Sequence, residues 1–150
     1  MSGERDLIKL YSGRILALAA SIPRIGHLDA PDGTARRRSP LCGSTVTVEV
    51  NVRDGKIIEY AQDVKACALG QAAASVIGAN IIGADISDVR RVRDQLRAML
   101  EDTAPPPAAP FDDLEVLIPA RDYKNRHASI LLAAEATLEA LDQAQAKDCA

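Results

Sequence analysis

The stretch that decides the fold covers residues 38–75 and reads RSPLCGSTVTVEVNVRDGKIIEYAQDVKACALGQAAAS. Over residues 45–52 valines alternate with polar residues, which is typical of a strand with one buried face. The dipeptide Asp54-Gly55 favours a tight turn, and residues 56–64 supply the returning strand. The stretch therefore predicts a β-hairpin that has one cysteine before it and one after it.

Two registers of this hairpin are open. A two-residue turn carries Cys42 to a position opposite Cys67. A three-residue loop over residues 53–55 pairs Val50 with Ile58 and places Cys42 opposite Ala66. Burial favours the three-residue loop, because a one-residue slip moves every side chain of a strand to the other face of the sheet.

Helices are predicted on both sides of the hairpin. Apolar residues at helical spacing predict an amphipathic helix over residues 6–22, ended by Pro23. Residues 23–40 read as loop, with a short edge strand over 34–38 as an option. Small residues over 68–82 predict a helix that can approach the sheet closely, with Gly83 as its C-terminal cap.

The remaining chain predicts two more helices. Ser87 is the predicted N-cap of a helix over residues 88–102. Residues 103–110 form a stiff connection, and residues 111–126 form a short helical turn and a loop. Asn125 is the predicted N-cap of a final helix over residues 127–145. The core stripe expected on the helix over 88–102 comprises Val89, Val92, Leu96, Met99 and Leu100.

This order of elements predicts one α+β domain over residues 1–150, with a small antiparallel sheet packed against four or five helices. The chain has 150 residues and a net charge of −3, which argues against nucleic acid and anionic membrane surfaces as partners. The first 22 residues lack a secretory or membrane-spanning apolar run, so a cytoplasmic protein is expected.

The three cysteines are an odd number, which favours reduced thiols or metal ligands over a disulfide framework. In either register Cys42 and Cys67 converge at the open end of the hairpin, where cross-strand neighbours lie about 5 Å apart. Cys67 directly precedes a predicted helix and Lys65 is near, and both favour a thiolate. The alternative is that both cysteines are small core residues. Cys149, next to the C-terminus, is interpreted as incidental.

Four segments carry a resemblance to a known family. They are IPRIGHL, SPLCGSTVTVEV, KACALGQAAASVIG and RHASILLAAEA, which occur in this order over nearly the whole chain. Together they resemble the IscU/NifU/SufU scaffold proteins of iron–sulfur cluster assembly. The resemblance implies a SufE/NifU-like fold and a non-enzymatic protein that works with a cysteine desulfurase and with apo-protein cluster acceptors.

The chain departs from the family pattern at three places. Ser44 stands where the first cysteine motif has an acidic residue. The third cysteine is missing, and two alignments compete: either Ala128 replaces it and His127 takes the family's histidine position, or His127 itself replaces it. The sequence LIPARDYKNR stands where the family has its chaperone-recognition motif.

The resemblance implies a ligand set of Cys42, Cys67 and His127. Two thiolates and an imidazole suit Zn²⁺, iron or an iron–sulfur cluster, and three protein ligands leave one position open. Cys67 or Cys42 would accept a persulfide. Ser44 would hydrogen-bond a ligand sulfur, and the positive charges of Lys65 and Arg126 would favour thiolates.

Three functions follow, in order of preference. The first is a scaffold or carrier that binds iron or a labile cluster and transfers it to acceptor proteins. The second is a zinc-bound sulfur acceptor for a cysteine desulfurase, and the third is a metal-free adaptor of that machinery. A homo-oligomer is an option in each. The run Arg36-Arg37-Arg38 is either a solvated edge or a contact for an acidic partner.

Overall fold

The structure, a computed structural model, describes residues 12–40 and 43–148, with the backbone alone at positions 147 and 148. The described part is an α+β domain, which confirms the predicted fold class. Its elements in chain order are α1 (Gly13–Ala20), β1 (Gly33–Arg38), β2 (Thr45–Arg53), β3 (Lys56–Lys65), α2 (Ala68–Asn80), α3 (Ile86–Glu101), a 3₁₀ segment (Asp112–Asp122) and α4 (Lys124–Asp148).

The three strands form one antiparallel sheet in the order β1-β2-β3. The optional edge strand therefore exists as β1. In β2, Val46, Val48 and Val50 are buried while the intervening residues are half-buried, as the alternation predicted. The valine face of the sheet is the face that packs into the core.

The hairpin register differs from both predicted registers. The turn has two residues, Asp54 at φ +54° and Gly55 at φ +79°, so the preferred three-residue loop is wrong. A β-bulge then shifts the register by one residue, so Val50 faces Tyr60 rather than Ile58. Ile58 is the extra residue of the bulge, and its side chain is exposed. The two-residue turn alone would place the apolar residues of β3 on the wrong face of the sheet, and the extra residue returns them to the buried face.

Helix α4 is the central helix of the domain. It lies on the valine face of the sheet and packs against α2, α3 and the 3₁₀ segment. It approaches β1 so closely that a Cβ added at Gly33 would overlap the carbonyl of Ala140. The side chains that α4 buries include large aliphatic ones and many small ones, the small ones being those of Ser129, Ala133, Ala134, Ala136, Thr137, Ala140 and Ala144.

Helix α2 packs chiefly against α1 and α4 and meets the sheet less extensively, at β3, so its small side chains serve helix–helix contact more than the predicted contact with the sheet. It ends at Asn80 rather than at residue 82. Gly83 lies beyond it with φ +93°, in the turn that leads to α3.

The predicted bounds of the other helices also need correction. Asp85, not Ser87, is the N-cap of α3, since its carboxylate accepts from the N–H of Asp88 in a capping box. The predicted core stripe of α3 is buried at all five positions. Residues 112–122 form a 3₁₀ helix instead of one turn and a loop, and α4 begins at Lys124, so Asn125 lies inside the helix. Of the predicted first helix, residues 6–11 lie outside the described part.

The opposite face of the sheet is crossed by residues 23–32. At β3, the N–H of Gly26 donates to the carbonyl of Gln62 at 3.0 Å. Over β2, the N–H of Leu28 donates to the carboxylate of Glu49 at 2.6 Å. The N–H of Asp32 then donates to a β2 carbonyl at 2.9 Å, directly before β1 begins. This crossing segment covers one half of the outer face.

The ionisation of Tyr60 tests whether its hydroxyl is buried in the core. Its hydroxyl is buried against the Thr137 hydroxyl at 3.0 Å, and burial raises the pKa of Tyr60 to about 12, although the hydrogen bond to Thr137 opposes the rise. An unfolded tyrosine ionises near pH 10. Between these two values the unfolded state loses its proton first, so the free energy of unfolding falls as pH rises.

We therefore expect wild type to lose about 2 kcal/mol of unfolding free energy between pH 9 and about pH 11.5 through Tyr60 alone. Urea denaturation at both pH values, compared with Tyr60→Phe, measures this loss, because the phenylalanine variant lacks the ionising group. An equal loss in both proteins would contradict the buried, neutral tyrosine.

Candidate sulfur and metal site

Cys67 lies at the N-terminus of α2, where it is the N-cap residue with extended backbone angles (φ −67°, ψ 169°). Its side chain is half-buried. The first N–H groups of a helix have no intrahelical acceptor and carry the positive end of the helix dipole. The thiol is therefore accessible and lies in a field that stabilises negative charge.

The pKa of Cys67 is lowered overall by its surroundings. Burial alone would raise it, but the polar groups around the sulfur outweigh that effect. They are the backbone N–H groups of Gly70 and Leu69, the hydroxyl of Ser129 and the side chain of Arg126, of which the Ser129 hydroxyl lies within hydrogen-bonding distance of the sulfur. Each favours the thiolate, which is the nucleophilic and metal-binding form.

A short chain of hydroxyls links Cys67 to the loop before β2. Ser129 Oγ lies 3.5 Å from Cys67 Sγ and 3.0 Å from Ser44 Oγ, and its single proton can serve only one of these two contacts at a time. Both serines are buried. The contact depends on Gly70, since a Cβ there would lie 2.7 Å from Ser129 Oγ.

Ser44 brings the first cysteine motif to the site. The loop between β1 and β2 is held by hydrogen bonds from the Ser39 N–H to the Ser44 carbonyl (2.8 Å) and from the Gly43 N–H to the Ser39 carbonyl (2.9 Å). Cys42 itself lies outside the described residues, and so does Cys149. The predicted meeting of the two thiols stays a prediction, although Ser44, two positions after Cys42, is one side chain away from Cys67.

His127 is buried at the start of α4, with 8% of its surface exposed. Its Nε2 lies 2.9 Å from the carbonyl oxygen of Ala120 and 3.1 Å from that of Arg121. Since carbonyls only accept, Nε2 carries the proton and Nδ1 is the nitrogen left for ligation. The ring thus ties α4 to the end of the 3₁₀ segment.

Helix geometry separates His127 from Cys67. Arg126 and Ser129 are three positions apart and share the face of α4 that meets Cys67. His127, Ala128 and Leu131 line a separate cleft of about 740 Å³ between α4, α3 and the 3₁₀ segment. Ligation by His127 together with Cys67 stays a prediction, and it requires the ring to reach round the helix.

Sequence reasoning missed Ser129. A helix that begins at Lys124 puts Arg126 and Ser129 on one face, whereas the predicted start at residue 127 hid this spacing. By position, Ser129 is the described α4 residue whose side chain contacts Cys67, whereas His127 and Ala128 line the separate cleft. Which of His127 and Ala128 stands in place of the family's third cysteine stays a prediction.

The donor set around Cys67 is poor for a soft metal. In the described residues it consists of one thiol and two hydroxyls, and these residues contain no cluster of three His, Cys, Asp or Glu side chains able to hold a metal. Neutral hydroxyls bind zinc and iron weakly compared with thiolates. Within the part of the chain that the structure describes, the residues around Cys67 therefore do not form a closed metal site.

Comparison with known proteins identifies relatives. Residues 10–147 match the model of the family described as NifU-like N terminal domain. No curated protein matches the chain. A crystal structure of a nitrogen-fixing NifU-like protein (N-terminal) from Brucella abortus is 44% identical, with a TM-score of 0.91, and the match covers 95% of this chain and 99% of that one.

A second similar structure shares the fold at lower identity. It is a putative iron–sulfur cluster assembly scaffold protein for the SUF system from Fervidobacterium islandicum AW-1, with 18% identity, a TM-score of 0.79 and coverage of 89% and 98%. None of the described helices has the length and apolar composition needed to cross a membrane.

The Arg126 side chain is one of the groups that lower the pKa of Cys67, so removing it should raise that pKa measurably. In a Cys42→Ser/Cys149→Ser background, we expect the Cys67 thiol to titrate below the usual range near 8.5. Arg126→Met removes one of the groups that lower its pKa, so the titration should move upward. Absorbance of the thiolate near 240 nm against pH measures it.

Lys124→Met is the matched control, because it removes a nearby positive charge that does not contact the sulfur. An unchanged titration in Arg126→Met, or an equal shift in the control, would contradict the assigned contact.

The position of Ser129 predicts a gain of metal affinity. Ser129→Cys places a second sulfur beside Cys67, and with Cys42 it supplies three thiolates. We expect Co²⁺ to bind at least about tenfold more tightly than in wild type, with thiolate-to-cobalt charge-transfer bands. Ala128→Cys, one residue away on the other face, is the control, and equal tightening by both variants would contradict the assignment.

Proposed function

Because this chain belongs to the NifU-like N-terminal domain family, we propose that it is a scaffold or carrier for iron–sulfur cluster assembly that hands its cargo to acceptor proteins. The family supports a role in cluster assembly. The proposal also includes transfer of the cargo to apo-protein acceptors, a cysteine desulfurase as the source of sulfur, and a cytoplasmic location. In this proposal the protein is not an enzyme: it holds iron, sulfur or the cluster formed from them and passes the product on.

The observation that supports this proposal is the environment of Cys67. A half-exposed thiol, held toward the thiolate by helix N–H groups, Ser129 and Arg126, is suited to binding iron and to receiving sulfur. Cys42 is the second proposed ligand, and Nδ1 of His127 is a third candidate. Ser44 and Ser129 would hydrogen-bond cargo sulfur.

Lability follows from the incomplete ligand set. A cluster or iron held by two thiolates of this chain needs further ligands from a small thiol or a second protein. Exchange of those outside ligands gives an acceptor a route to the cargo. A closed site with four protein ligands would instead retain its metal.

A persulfide carrier is the second candidate, because the lowered pKa and accessibility of Cys67 also suit nucleophilic attack. The Cys67 thiolate would attack the outer sulfur of a cysteine desulfurase persulfide. A new S–S bond would form at Cys67, the S–S bond of the desulfurase would break, and its cysteine would leave as a thiolate. Zinc bound by Cys42 and Cys67 would be the resident metal in the zinc-bound form of this candidate.

Anaerobic reconstitution with ferrous iron and sulfide tests the leading proposal. We expect wild type to develop visible charge-transfer absorbance and to lose it to an apo-ferredoxin added afterwards. Cys42→Ala/Cys67→Ala should gain no absorbance, Cys149→Ala is the matched cysteine control, and His127→Ala reports whether the ring is a ligand. Absorbance in the double variant equal to that of wild type would end the proposal.

Metal and mass analysis separates the two candidates. Protein purified without added metal is analysed for iron, sulfide and zinc, and the intact mass is measured after incubation with a cysteine desulfurase and cysteine. Iron with acid-labile sulfide supports the scaffold. Stoichiometric zinc, or a mass increase of one sulfur atom that Cys67→Ala abolishes, supports the carrier.

A further inference from the structure

The half of the outer sheet face that the crossing segment leaves open carries a cationic patch. The β-pairing places Arg38 and Lys65 on either side of Thr45, and Arg36 opposite Thr47. These side chains project from the face opposite the buried valines, because alternate residues of a strand point to opposite faces. We call this set, with Asp63 beside Thr47, the cationic patch.

The patch retains its positive charge. Three cations stand against one carboxylate, and within the described residues none of the three forms an ion pair. Arg37 provides the contrast. It points to the other face, where it lies 3.7 Å from the carboxylates of both Glu135 and Glu139.

The patch is concave and borders the site. Arg36, Thr45, Thr47, Asp63 and Lys65 line a depression of about 100 Å³. Thr45 directly follows Ser44, and Lys65 is two residues before Cys67. A chain docked in the depression would therefore reach the exposed side of the thiol within a few residues.

The positive charge of the patch is opposite in sign to the net charge of the whole chain. The whole chain has a net charge of −3, yet these neighbouring positions carry a local excess of two positive charges. Arg36 and Arg38 on β1 and Lys65 on β3 carry like charges on one face of the sheet, and their repulsion across β2 disfavours folding slightly. An anionic partner would remove that cost on binding and would be steered toward the thiol by the same field.

We propose that the cationic patch is the docking surface for a carboxylate-rich segment of the cysteine desulfurase that delivers sulfur to Cys67. The proposal rests on the proposed function for the identity of that protein. The docked segment lies across the outer face of β1, β2 and β3, with its carboxylates at Arg36, Arg38 and Lys65. The reactive group of the partner is thereby oriented toward the N-terminus of α2.

Charge reversal in the cationic patch, compared with charge reversal at the hairpin tip, tests whether the patch binds the partner. Binding of a cysteine desulfurase from the same organism is measured by calorimetry for wild type, Arg36→Glu/Arg38→Glu and Arg53→Glu/Lys56→Glu. The control pair is exposed at the hairpin tip and changes the net charge equally. We expect the first variant to bind about tenfold or more weakly and the control to bind within about twofold of wild type.

Salt provides the second readout. Wild-type affinity should fall steeply as ionic strength rises, and the slope should be smaller for Arg36→Glu/Arg38→Glu than for the control. The docking proposal is overturned if wild type does not bind, if both variants bind more weakly to the same extent, or if neither variant binds more weakly. Reconstitution with iron and sulfide needs no partner, so both variants should match wild type there. Failure of wild type in that assay counts against the proposed function alone.

Discussion

The close approach of α4 to its neighbours is the constraint on which the domain depends. At one end of the helix, Gly33 of β1 lies against the carbonyl of Ala140 with no room for a side chain. At the other end, Gly70 of α2 admits the hydroxyl of Ser129 to the cysteine. Interiors packed to crystal-like density tolerate little added volume, so larger residues at these crossings would separate the layers and the site together.

The same packing sets the chemistry at Cys67. A thiol in an apolar interior would be neutral and inert, whereas here helix N–H groups and the Ser129 hydroxyl lie near the sulfur and lower its pKa. Hydroxyls are weak ligands for zinc and iron, but they can stabilise negative charge on sulfur. This environment suits the transient cargo of the proposed function better than it suits a permanently bound ion.

Much of the fold could be predicted from the sequence. Alternation identified β2, the Asp54-Gly55 turn indicated β3, and β1 was predicted only as an option, whereas on α3 periodicity identified all five core residues. The hairpin register was not predictable from alternation, because the bulge near Ile58 supplies an extra residue that a regular ladder lacks. The residue next to Cys67 was missed for a related reason. A hydrophobic pattern marks a helical face only when the start of the helix is known, and α4 starts three residues before the predicted position.

The crossing segment also determines how copies of the domain can meet. At Gln62 the outer edge of β3 already has a backbone partner on both its N–H and its carbonyl, which bond to Arg24 and Gly26. A strand edge satisfied in this way cannot template a neighbouring chain there, which limits edge-to-edge aggregation. Self-association at this point of the edge is thus left to side chains, because its backbone groups are already paired within the chain.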